Sequence, residues 1–539
     1  MATLLTLHDP RLARRYHAEG SWQDDTFYAL AARHAAARPT AYALRDAHHR
    51  LTWAALVVWV DAAAAALAAA GLRRGDRVSV WLPNRVEAVV TFLACSRGGF
   101  VCNPSLHQSY TVAEVAALLG RIGSRGFVGL SGYGSDARNA SIFNRLAGLP
   151  AVFDLAADFP QPGAVPPTPA SDDPDQPVYL AFTSGTTGLP KGVLHSDNTL
   201  LANGRVMVAD WGHGPDDVVL SLSPMSHHIG TVAVAQALAA GMELVVNDPP
   251  PGMAALDWIM ETGATYVMGV PTHAMDILAA MDRRGIAQLG RVRTFYMAGS
   301  PIPRAVAQAF LDRGVSPQNV YGMTENSSHQ YTRPGDDIET VLGTCGRACR
   351  GFEVAIFDPA QPDQLAPPGG AGEIGSRGAC LMLGYFGDQD ATERSFNRDG
   401  WFLSGDLGRL DGRGGLEILG RKKDLIIRGG HNIHPARIED LALRNPDVAR
   451  AAAFGMMDDR LGEKVCLAVI PTDGKEPDPQ TLLTRLAEAG LSKYDMPEYL
   501  AVLPEFPLTA SGKVLKRELV DWARTGRIQP VPVRWSEPA

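Results

Sequence analysis

The sequence of 539 residues contains only six cysteines, and no regular spacing relates them. Proteins of oxidising compartments often carry a framework of closely spaced cysteines, so this scarcity favours reduced thiols in a cytosolic protein. The nearest two, Cys345 and Cys349, lack the second pair of cysteines or histidines that a zinc site would need. We therefore predict that the cysteines are core or surface thiols and not metal ligands.

The sequence also lacks an excess of either charge, since 50 Lys and Arg face 58 Asp and Glu. A net charge of −8 does not attract the phosphate backbone of a nucleic acid, and nucleic-acid binding is not expected. The N-terminus has no continuous apolar core or cleavage site of a signal peptide. The longest apolar run, 54–71, is mostly alanine and includes Asp61, which predicts a packed helix and no integral membrane segment. We expect a cytoplasmic protein.

What the sequence does contain is an alternation of short β-branched runs with helical stretches. The run RVSVWLP at 77–83 precedes EAVVTFLACSRGG at 87–99, and similar runs return at 241–248, 264–271 and 292–300. This alternation is typical of α/β proteins in which helices cover a parallel or mixed sheet. Because 539 residues exceed what one hydrophobic core usually holds, two or more domains are expected.

A glycine-rich loop is the strongest chemical signal. The apolar run VYLAF at 178–182 leads into TSGTTGLPKG at 183–192, which predicts a strand followed by a loop. Its glycines let the backbone approach a ligand closely, while its hydroxyls and Lys191 suit the oxygens of a phosphate. The loop is not a Walker A motif, because Pro190 precedes the lysine and Gly192 follows it. We predict a phosphate-binding loop of another class.

Five further motifs follow this loop in a fixed order. They are PMSHHIG at 224–230, YGMTE at 321–325, GWFLSGDLG at 400–408, GRKKDLIIRGGHNIHPARIED at 420–440 and LTASGKVLKREL at 508–519. With the glycine-rich loop, this series resembles the adenylate-forming superfamily of acyl-CoA synthetases, nonribosomal-peptide adenylation domains and beetle luciferases. The resemblance covers about 340 residues, and one such motif alone would be weak evidence. It implies an α/β fold with a large N-terminal domain of several helix-flanked sheets and a small mobile α+β C-terminal lid.

The resemblance also implies a reaction in two steps. The carboxylate of an acid attacks the α-phosphate of ATP, which gives acyl-AMP and pyrophosphate, and a thiol then displaces AMP. The first step brings two anions together and therefore needs cations and Mg²⁺ at the point of attack. The expected cofactors are ATP, Mg²⁺ and coenzyme A, and the expected partner is a small carboxylic acid. We expect the protein to be a monomer or a homodimer.

Matched position by position, the family's motifs assign a role to each site residue. The expected ATP- and AMP-binding residues are Thr183, Ser184, Gly185, Thr186, Thr187, Lys191, Gly299, Ser300, Tyr321, Gly322, Asp406 and Arg421. Among them, Tyr321 would stack on adenine and Asp406 would accept the ribose hydroxyls. The expected catalytic residues are Thr324, Glu325, His227 and Lys513, with Glu325 and Thr187 as ligands of Mg²⁺. His227 would separate the acyl pocket from the CoA tunnel, and Val270 and Met323 would line that pocket.

The family's lid rotates between the two steps, and the resemblance implies a hinge at Lys423. The expected domains are therefore 1–422, which binds ATP and the acid, and 423–539, which forms the lid. Rotation would exchange Lys513, needed in the first step, for Gly429 and Gly430, which would contact CoA in the second.

Three functions compete at this point. An acyl-CoA synthetase is favoured over a silent scaffold protein, because no polar motif is missing. It is also favoured over a carrier-loading domain, because no Asp follows Ser226 to hold an α-ammonium group, and because the sequence ends soon after Lys513. A separate carrier protein stays open as the acceptor. The pocket candidates are apolar or small, which suggests a monocarboxylic and largely hydrocarbon acid. The segment CNPSLHQSYTVAEV at 102–115 resembles bacterial ligases of cyclohexanecarboxylate and related medium-chain acids. This resemblance implies a medium-chain or alicyclic acid, and an aryl acid is the alternative.

Overall fold

The computed structural model describes residues 9–165, 168–183, 190–472, 475, 477–509 and 513–535. Within them the helices are α1 (Pro10–Ala18), α2 (Phe27–Ala37), α3 (Trp53–Ala69), α4 (Val86–Gly98), α5 (Val112–Ile122), α6 (Asp197–Trp211), α7 (His228–Ala240), α8 (Ala255–Thr262), α9 (Pro271–Arg283), α10 (Arg304–Leu311), α11 (Ile338–Gly343), α12 (Gln389–Arg394), α13 (Pro435–Ala442), α14 (Pro479–Glu488) and α15 (Lys516–Arg524).

The strands before residue 300 are β1 (Tyr42–Arg45), β2 (Arg50–Thr52), β3 (Arg77–Trp81), β4 (Val101–Asn103), β5 (Gly126–Gly129), β6 (Ala151–Asp154), β7 (Pro177–Thr183), β8 (Lys191–Ser196), β9 (Val218–Ser221), β10 (Glu243–Val246), β11 (Tyr266–Gly269) and β12 (Thr294–Met297). The later strands are β13 (Ser316–Met323), β14 (Ser327–Tyr331), β15 (Arg347–Ala348), β16 (Phe352–Phe357), β17 (Gly372–Gly378), β18 (Gly384–Tyr385), β19 (Phe402–Leu410), β20 (Leu416–Arg421), β21 (Ile426–Arg428), β22 (His431–Ile433), β23 (Val448–Asp458), β24 (Gly462–Pro471), β25 (Tyr499–Val502) and β26 (Val531–Pro532).

Two large mixed sheets form the N-terminal part of the protein. The first has the order β15-β14-β13-β12-β11-β9-β10-β1-β2, and its strands from β13 to β1 run parallel. The second has the order β18-β8-β7-β4-β3-β5-β6, and β8 and β18 are antiparallel to their neighbours. The predicted α/β organisation is thus confirmed, including the pair of β3 and α4.

Helices join the two sheets. One cluster of buried apolar side chains includes residues of β3, of β9 and β10, and of the helices α3, α4, α6 and α7. Helix α4 is buried along its whole length from Val86 to Arg97, because it presents apolar residues on every side. The alanine-rich run at 54–71 forms α3, as predicted. No helix within the described residues has the length and apolar character needed to span a membrane.

Two smaller sheets follow. The antiparallel sheet β16-β17-β19-β20 ends at Arg421, and a 3₁₀ turn, Lys422–Asp424, leads to a six-stranded sheet built from β21 to β26. Helices α13 and α14 pack on this last sheet and share a separate apolar core with it. The change of sheet lies beside the predicted boundary between residues 422 and 423, and the division into two domains stays a prediction.

One buried acid ties helix α6 to the helices beneath it. Asp197 begins α6 with 1% of its surface exposed, and its Oδ1 accepts hydrogen bonds from the amide of Phe27 at 2.7 Å and the hydroxyl of Ser96 at 2.8 Å. Its Oδ2 has no hydrogen-bond partner among the described residues. Burial raises the pKa of Asp197 to about 7. The carboxyl group is therefore protonated below neutral pH in the folded protein.

We expect Asp197 to make the protein less stable as the pH rises. An unfolded aspartate ionises near its ordinary pKa of 3.8, whereas the folded one ionises near 7, so the stabilising contribution is lost between these values. From pH 5 to pH 8 the wild-type protein should lose about 2 kcal/mol of unfolding free energy relative to Asp197→Asn. Chemical denaturation of both proteins at the two pH values measures this difference.

Asp337→Asn is the matched control, because Asp337 also lies at the start of a helix. Hydrogen bonds from Thr340 lower the pKa of Asp337, so Asp337 is ionised at both pH values. The difference in unfolding free energy between wild type and Asp337→Asn should therefore be the same at pH 5 and at pH 8. Equal pH dependence of wild type and Asp197→Asn would contradict the raised pKa.

Candidate functional site

The predicted phosphate loop lies between two paired strands. Strand β7 ends at Thr183, which is the register partner of Lys191 at the start of β8. Four residues predicted to bind phosphate, Ser184, Gly185, Thr186 and Thr187, lie outside the described residues. The Nζ of Lys191 lies 4.4 Å from the ring centroid of Tyr385, which belongs to the neighbouring strand β18. The strand that follows the loop therefore begins with a cation, Lys191, that lies beside an aromatic ring.

Tyr385 connects this cation to the predicted magnesium ligand. Its hydroxyl donates a hydrogen bond of 2.9 Å to Oε1 of Glu325. The Glu325 carbonyl accepts another from the amide of Met382 at 2.7 Å. Burial raises the pKa of Glu325, and the Tyr385 hydroxyl and the Lys191 charge oppose this rise. The Glu325 carboxylate offers hard oxygen donors, which fit Mg²⁺.

Glu325 lies in a tight turn between β13 and β14. The side chain of Asn326 closes the turn by accepting a hydrogen bond from the amide of Met323 at 2.9 Å. A methyl group on Gly322 would lie 1.8 Å from the carbonyl oxygen of Ser327, so only glycine fits there. Ser327 itself has a φ of 53° and is the one non-glycine residue with positive φ in the described part of the chain. The turn is therefore both compact and strained.

Three predicted nucleotide-binding side chains meet near Glu325, and we call the place where these four residues lie the cleft. The hydroxyl of Tyr321 donates to Oδ2 of Asp406 at 3.0 Å, and Nε of Arg421 lies 3.5 Å from Oδ1 of the same carboxylate. Asp406 and Arg421 are register partners on β19 and β20. Burial raises the pKa of Asp406, and Arg421 and Tyr321 oppose this effect. The carboxylate thus has a cation and a hydroxyl beside it in a poorly hydrated place.

Lys513 reaches the same cleft from the C-terminal part of the chain. A methyl group on Gly299 would lie 3.1 Å from its Cε and 3.5 Å from Cγ1 of Val270. Burial and the charge of Arg421 lower the pKa of Lys513 to about 8, while Asp406 and Glu325 oppose this shift. These interactions bring together residues that are up to 243 positions apart in the sequence, as Val270 and Lys513 are. Ser300, which follows Gly299, is exposed.

The two adjacent histidines have different surroundings. His227 is half-buried at the start of α7, where its Nδ1 accepts a hydrogen bond from the amide of Ile229 at 3.3 Å. Burial lowers its pKa to about 3, helped by the charge of Lys513, so the ring is neutral. His228 is fully enclosed and faces the hydroxyls of Tyr179 and Ser327. Of the two, only His227 is partly exposed and electrostatically coupled to Lys513.

The two residues predicted to line the acyl pocket differ in burial. Val270 is 2% exposed, precedes α9 and lies beside Gly299. Met323 is half-buried and packs against two apolar clusters near the tight turn. Tyr385 was not predicted to belong to the site, because no pattern around GYFGD distinguishes this tyrosine from others in short strands.

The predicted hinge and CoA residues lie on the surface. Lys423 is exposed in the 3₁₀ turn, next to Lys422, whose Nζ donates to the Pro359 carbonyl at 2.8 Å and to Glu373 at 3.0 Å. Gly429 and Gly430 are exposed between β21 and β22, with φ values of 58° and 85°.

Polar contacts between described residues join the C-terminal sheet and its helices to the N-terminal part. Arg450 on β23 donates to Asp276 on α9 at 3.0 Å, and the amide of Arg304 on α10 donates to Asp440 on α13 at 3.3 Å. In this arrangement Lys513 is in the cleft while the two glycines remain exposed.

A second group with metal-ligand chemistry lies elsewhere. Within the described residues, Asp46, His49 and Glu87 are the only such set close enough to share an ion. The Nε of Arg85 already lies 3.4 Å from Asp46 and 3.6 Å from Glu87, so a guanidinium supplies the positive charge. We regard this group as a structural ion cluster.

Comparisons with known proteins agree with this geometry. The profile of the AMP-binding enzyme family matches residues 31–386, and that of the AMP-binding enzyme C-terminal domain matches 437–513. The medium-chain fatty-acid–CoA ligase of Escherichia coli is 31% identical over 96% of this chain and 93% of its own. A feruloyl-CoA synthase from an Amycolatopsis species is 33% identical over 90% of this chain and 97% of its own.

A solved structure agrees as well. The crystal structure of ATP-bound MatB from Rhodopseudomonas palustris superposes with a TM-score of 0.83. It is 29% identical and covers 93% of this chain and 99% of its own. The family expected from the six motifs is confirmed: the chain belongs to the AMP-binding enzymes, in their acyl-CoA synthetase branch.

Proposed function

We propose that this enzyme activates a medium-chain or alicyclic monocarboxylic acid. As an acyl-CoA synthetase it uses ATP, Mg²⁺ and CoA. The acid's carboxylate oxygen bonds to the α-phosphorus of ATP as the bond to pyrophosphate breaks, and the CoA thiolate then bonds to the acyl carbon as AMP leaves. The observation that carries the proposal is the position of Lys513 against Gly299, where it interacts with Asp406 and Glu325.

We assign to the nucleotide-site residues the roles that the family's motifs imply. The β- and γ-phosphates would be bound by Lys191 and by the loop residues Thr183, Ser184, Gly185, Thr186 and Thr187, and the α-phosphate by Thr324. Mg²⁺ would be held by Glu325 and Thr187, the ribose by Asp406 and Arg421, and the adenine by Tyr321, Gly299 and Ser300, with Gly322 also in the nucleotide site. When bound, Mg²⁺ neutralises phosphate charge. The interaction of Tyr385 with both Lys191 and Glu325 supports a common phosphate and metal site.

Lys513 is the residue best suited to stabilise charge on the α-phosphate. Its pKa of about 8 leaves most of the side chain protonated at neutral pH, and a nearby polyphosphate would raise that pKa further. A desolvated cation interacts strongly with an anion that develops beside it. Lys513 therefore stabilises the negative transition state of adenylation.

Apolar and neutral side chains at the acyl end support an acid whose tail is an uncharged hydrocarbon. Val270 is apolar, Met323 is half-buried among apolar side chains, and the His227 ring is neutral because its pKa is about 3. The medium-chain ligase of E. coli supports an aliphatic acid, whereas the feruloyl-CoA synthase keeps an aryl acid as the second candidate.

A cytoplasmic location is part of the proposal, since all six cysteines are free and buried.

The substrate is tested by measuring pyrophosphate release with a panel of acids. We expect kcat/KM for hexanoate to decanoate and for cyclohexanecarboxylate to exceed that for benzoate and ferulate by about tenfold or more, since apolar pockets discriminate on this scale. The panel includes succinate as a control for a second carboxylate, which the neutral pocket should reject. Preferred turnover of ferulate or benzoate would instead support the aryl-acid function.

Lys513→Ala should separate the two steps of the reaction. Acyl-AMP formation should fall roughly 10²- to 10³-fold, the scale of one well-placed electrostatic donor. Presynthesised acyl-AMP should still react with CoA at nearly the wild-type rate, because no phosphate bond is made in that step. Lys475→Ala, which removes another lysine of the C-terminal region, should leave both rates unchanged. An equal loss in both steps would contradict the role of Lys513.

Lys423→Pro should have the opposite effect. Proline fixes φ at the proposed hinge and hinders passage from the adenylation arrangement to the one in which Gly429 and Gly430 contact CoA. We expect adenylation within about threefold of wild type and a larger loss, about tenfold or more, in thioester formation. Single-turnover assays of each step measure both rates. If thioester formation is unaffected, Lys423 is not the hinge.

A further inference from the structure

Two stacked histidines lie beneath the tight turn that carries Glu325. The ring centroids of His195 and His228 are 5.5 Å apart, and the planes differ by 26°. Both side chains are buried, with exposed fractions of 0% and 7%. His195 belongs to β8, four residues after Lys191, and His228 begins α7. None of the sequence motifs drew attention to His195, and the proposed mechanism does not use either ring.

His195 holds one end of the turn. Its Nε2 lies 2.6 Å from the carbonyl oxygen of Thr324, and its Nδ1 lies 3.0 Å from the hydroxyl of Thr199. Because a carbonyl can only accept, Nε2 must carry the proton. Burial lowers the pKa of His195 to about 4, so the ring stays neutral, with Nδ1 as an acceptor. The bond to Thr324 is therefore directional and independent of pH near neutrality.

His228 holds the other end. Its Nε2 lies 3.1 Å from the hydroxyl of Ser327, the residue with the strained φ of 53°. Glu325 and Asn326 lie between the two anchored residues. A strained turn keeps its conformation only where its surroundings determine it strongly, and these two rings supply contacts at both ends.

We infer that His195 and His228 are positioning residues that fix Thr324 and Glu325 for the α-phosphate and Mg²⁺. They also tie the turn to β8, which begins with Lys191, so that the phosphate cation and the metal ligand keep a constant separation. This inference rests on the proposed function of Glu325 and Thr324. Groups that orient a metal ligand typically change metal affinity or activity by roughly 10- to 100-fold when removed.

The first test measures adenylation and its dependence on Mg²⁺ in the full-length enzyme. With the acid that the panel selects, His195→Phe should lower kcat about tenfold or more and raise the Mg²⁺ concentration for half-maximal rate about tenfold. His195→Gln keeps an N–H donor near the position of Nε2 and should recover most of both losses. If glutamine is as damaging as phenylalanine, the hydrogen bond to Thr324 is not what matters and the inference is wrong.

His34 provides a matched control. Its Nε2 also contacts a backbone carbonyl, that of Leu238 at 2.7 Å, and its ring lies against Trp53. His34→Phe should lower the melting temperature without changing the Mg²⁺ dependence, whereas His195→Phe should change both.

Ser327→Ala tests the contact at the other end of the turn. It removes the contact with His228 without replacing a large ring, so it remains informative if His195→Phe folds poorly. We expect a two- to tenfold loss in kcat from this variant.

Hydrogen–deuterium exchange tests the positioning without any ligand or turnover. Backbone amides in peptides covering 320–331 should exchange at least about tenfold faster in His195→Phe than in wild type or His34→Phe. Unchanged exchange, together with wild-type Mg²⁺ dependence, would overturn the inference. A failure of the proposed function would look different from a failure of this inference. If Glu325 and Lys513 do not have their proposed roles, Glu325→Gln and Lys513→Ala retain pyrophosphate release, while the turn of His195→Phe still exchanges faster than that of wild type.

Discussion

Desolvation of charge is the constraint on which the cleft depends. Glu325 is a buried carboxylate and Asp406 a half-buried one, and both have raised pKa values. Lys513 is a half-buried amine whose pKa is lowered to about 8. Each charge opposes the pKa shift of an oppositely charged neighbour, so the protonation of each group depends on that of the others. The cleft therefore suits a ligand that carries several negative charges together with a divalent cation. The negative charges of such a ligand would pair with the lysine and arginine side chains, and its cation would pair with the carboxylates.

The rigid parts of the protein support this arrangement. The two large sheets are joined through α3, α4, α6 and α7, and several site residues lie at or just beyond the ends of strands. Lys191 begins β8, Glu325 follows β13, and Gly299 follows β12. Side chains at strand ends are held more firmly than side chains in long loops, which is why small separations between them persist.

The sequence predicted the elements better than the contacts between them. The strand β7, the pair of β3 and α4, and the helix α3 follow from local patterns of apolar residues, because burial on one or all sides leaves a regular trace in the sequence. The motifs also gave Asp406, Tyr321 and Lys513 as candidate site residues; they lie near one another, and their roles stay predictions. They did not predict the hydrogen bond between Tyr321 and Asp406 or the bridge through Tyr385, because these depend on packing between residues far apart in the chain. His195 was missed for the same reason, since its partner Thr324 is 129 positions away.

Helix α9 performs two tasks that are usually considered separately. Its N-terminal end adjoins Val270, in the wall beside Gly299, and two turns later Asp276 pairs with Arg450 of the C-terminal sheet. Because Val270 is proposed to line the acyl pocket, we expect a substitution that changes the size of this wall also to displace the part of α9 that Arg450 of the C-terminal sheet contacts. Selection for a different acid would then also act on the contact between α9 and the C-terminal sheet.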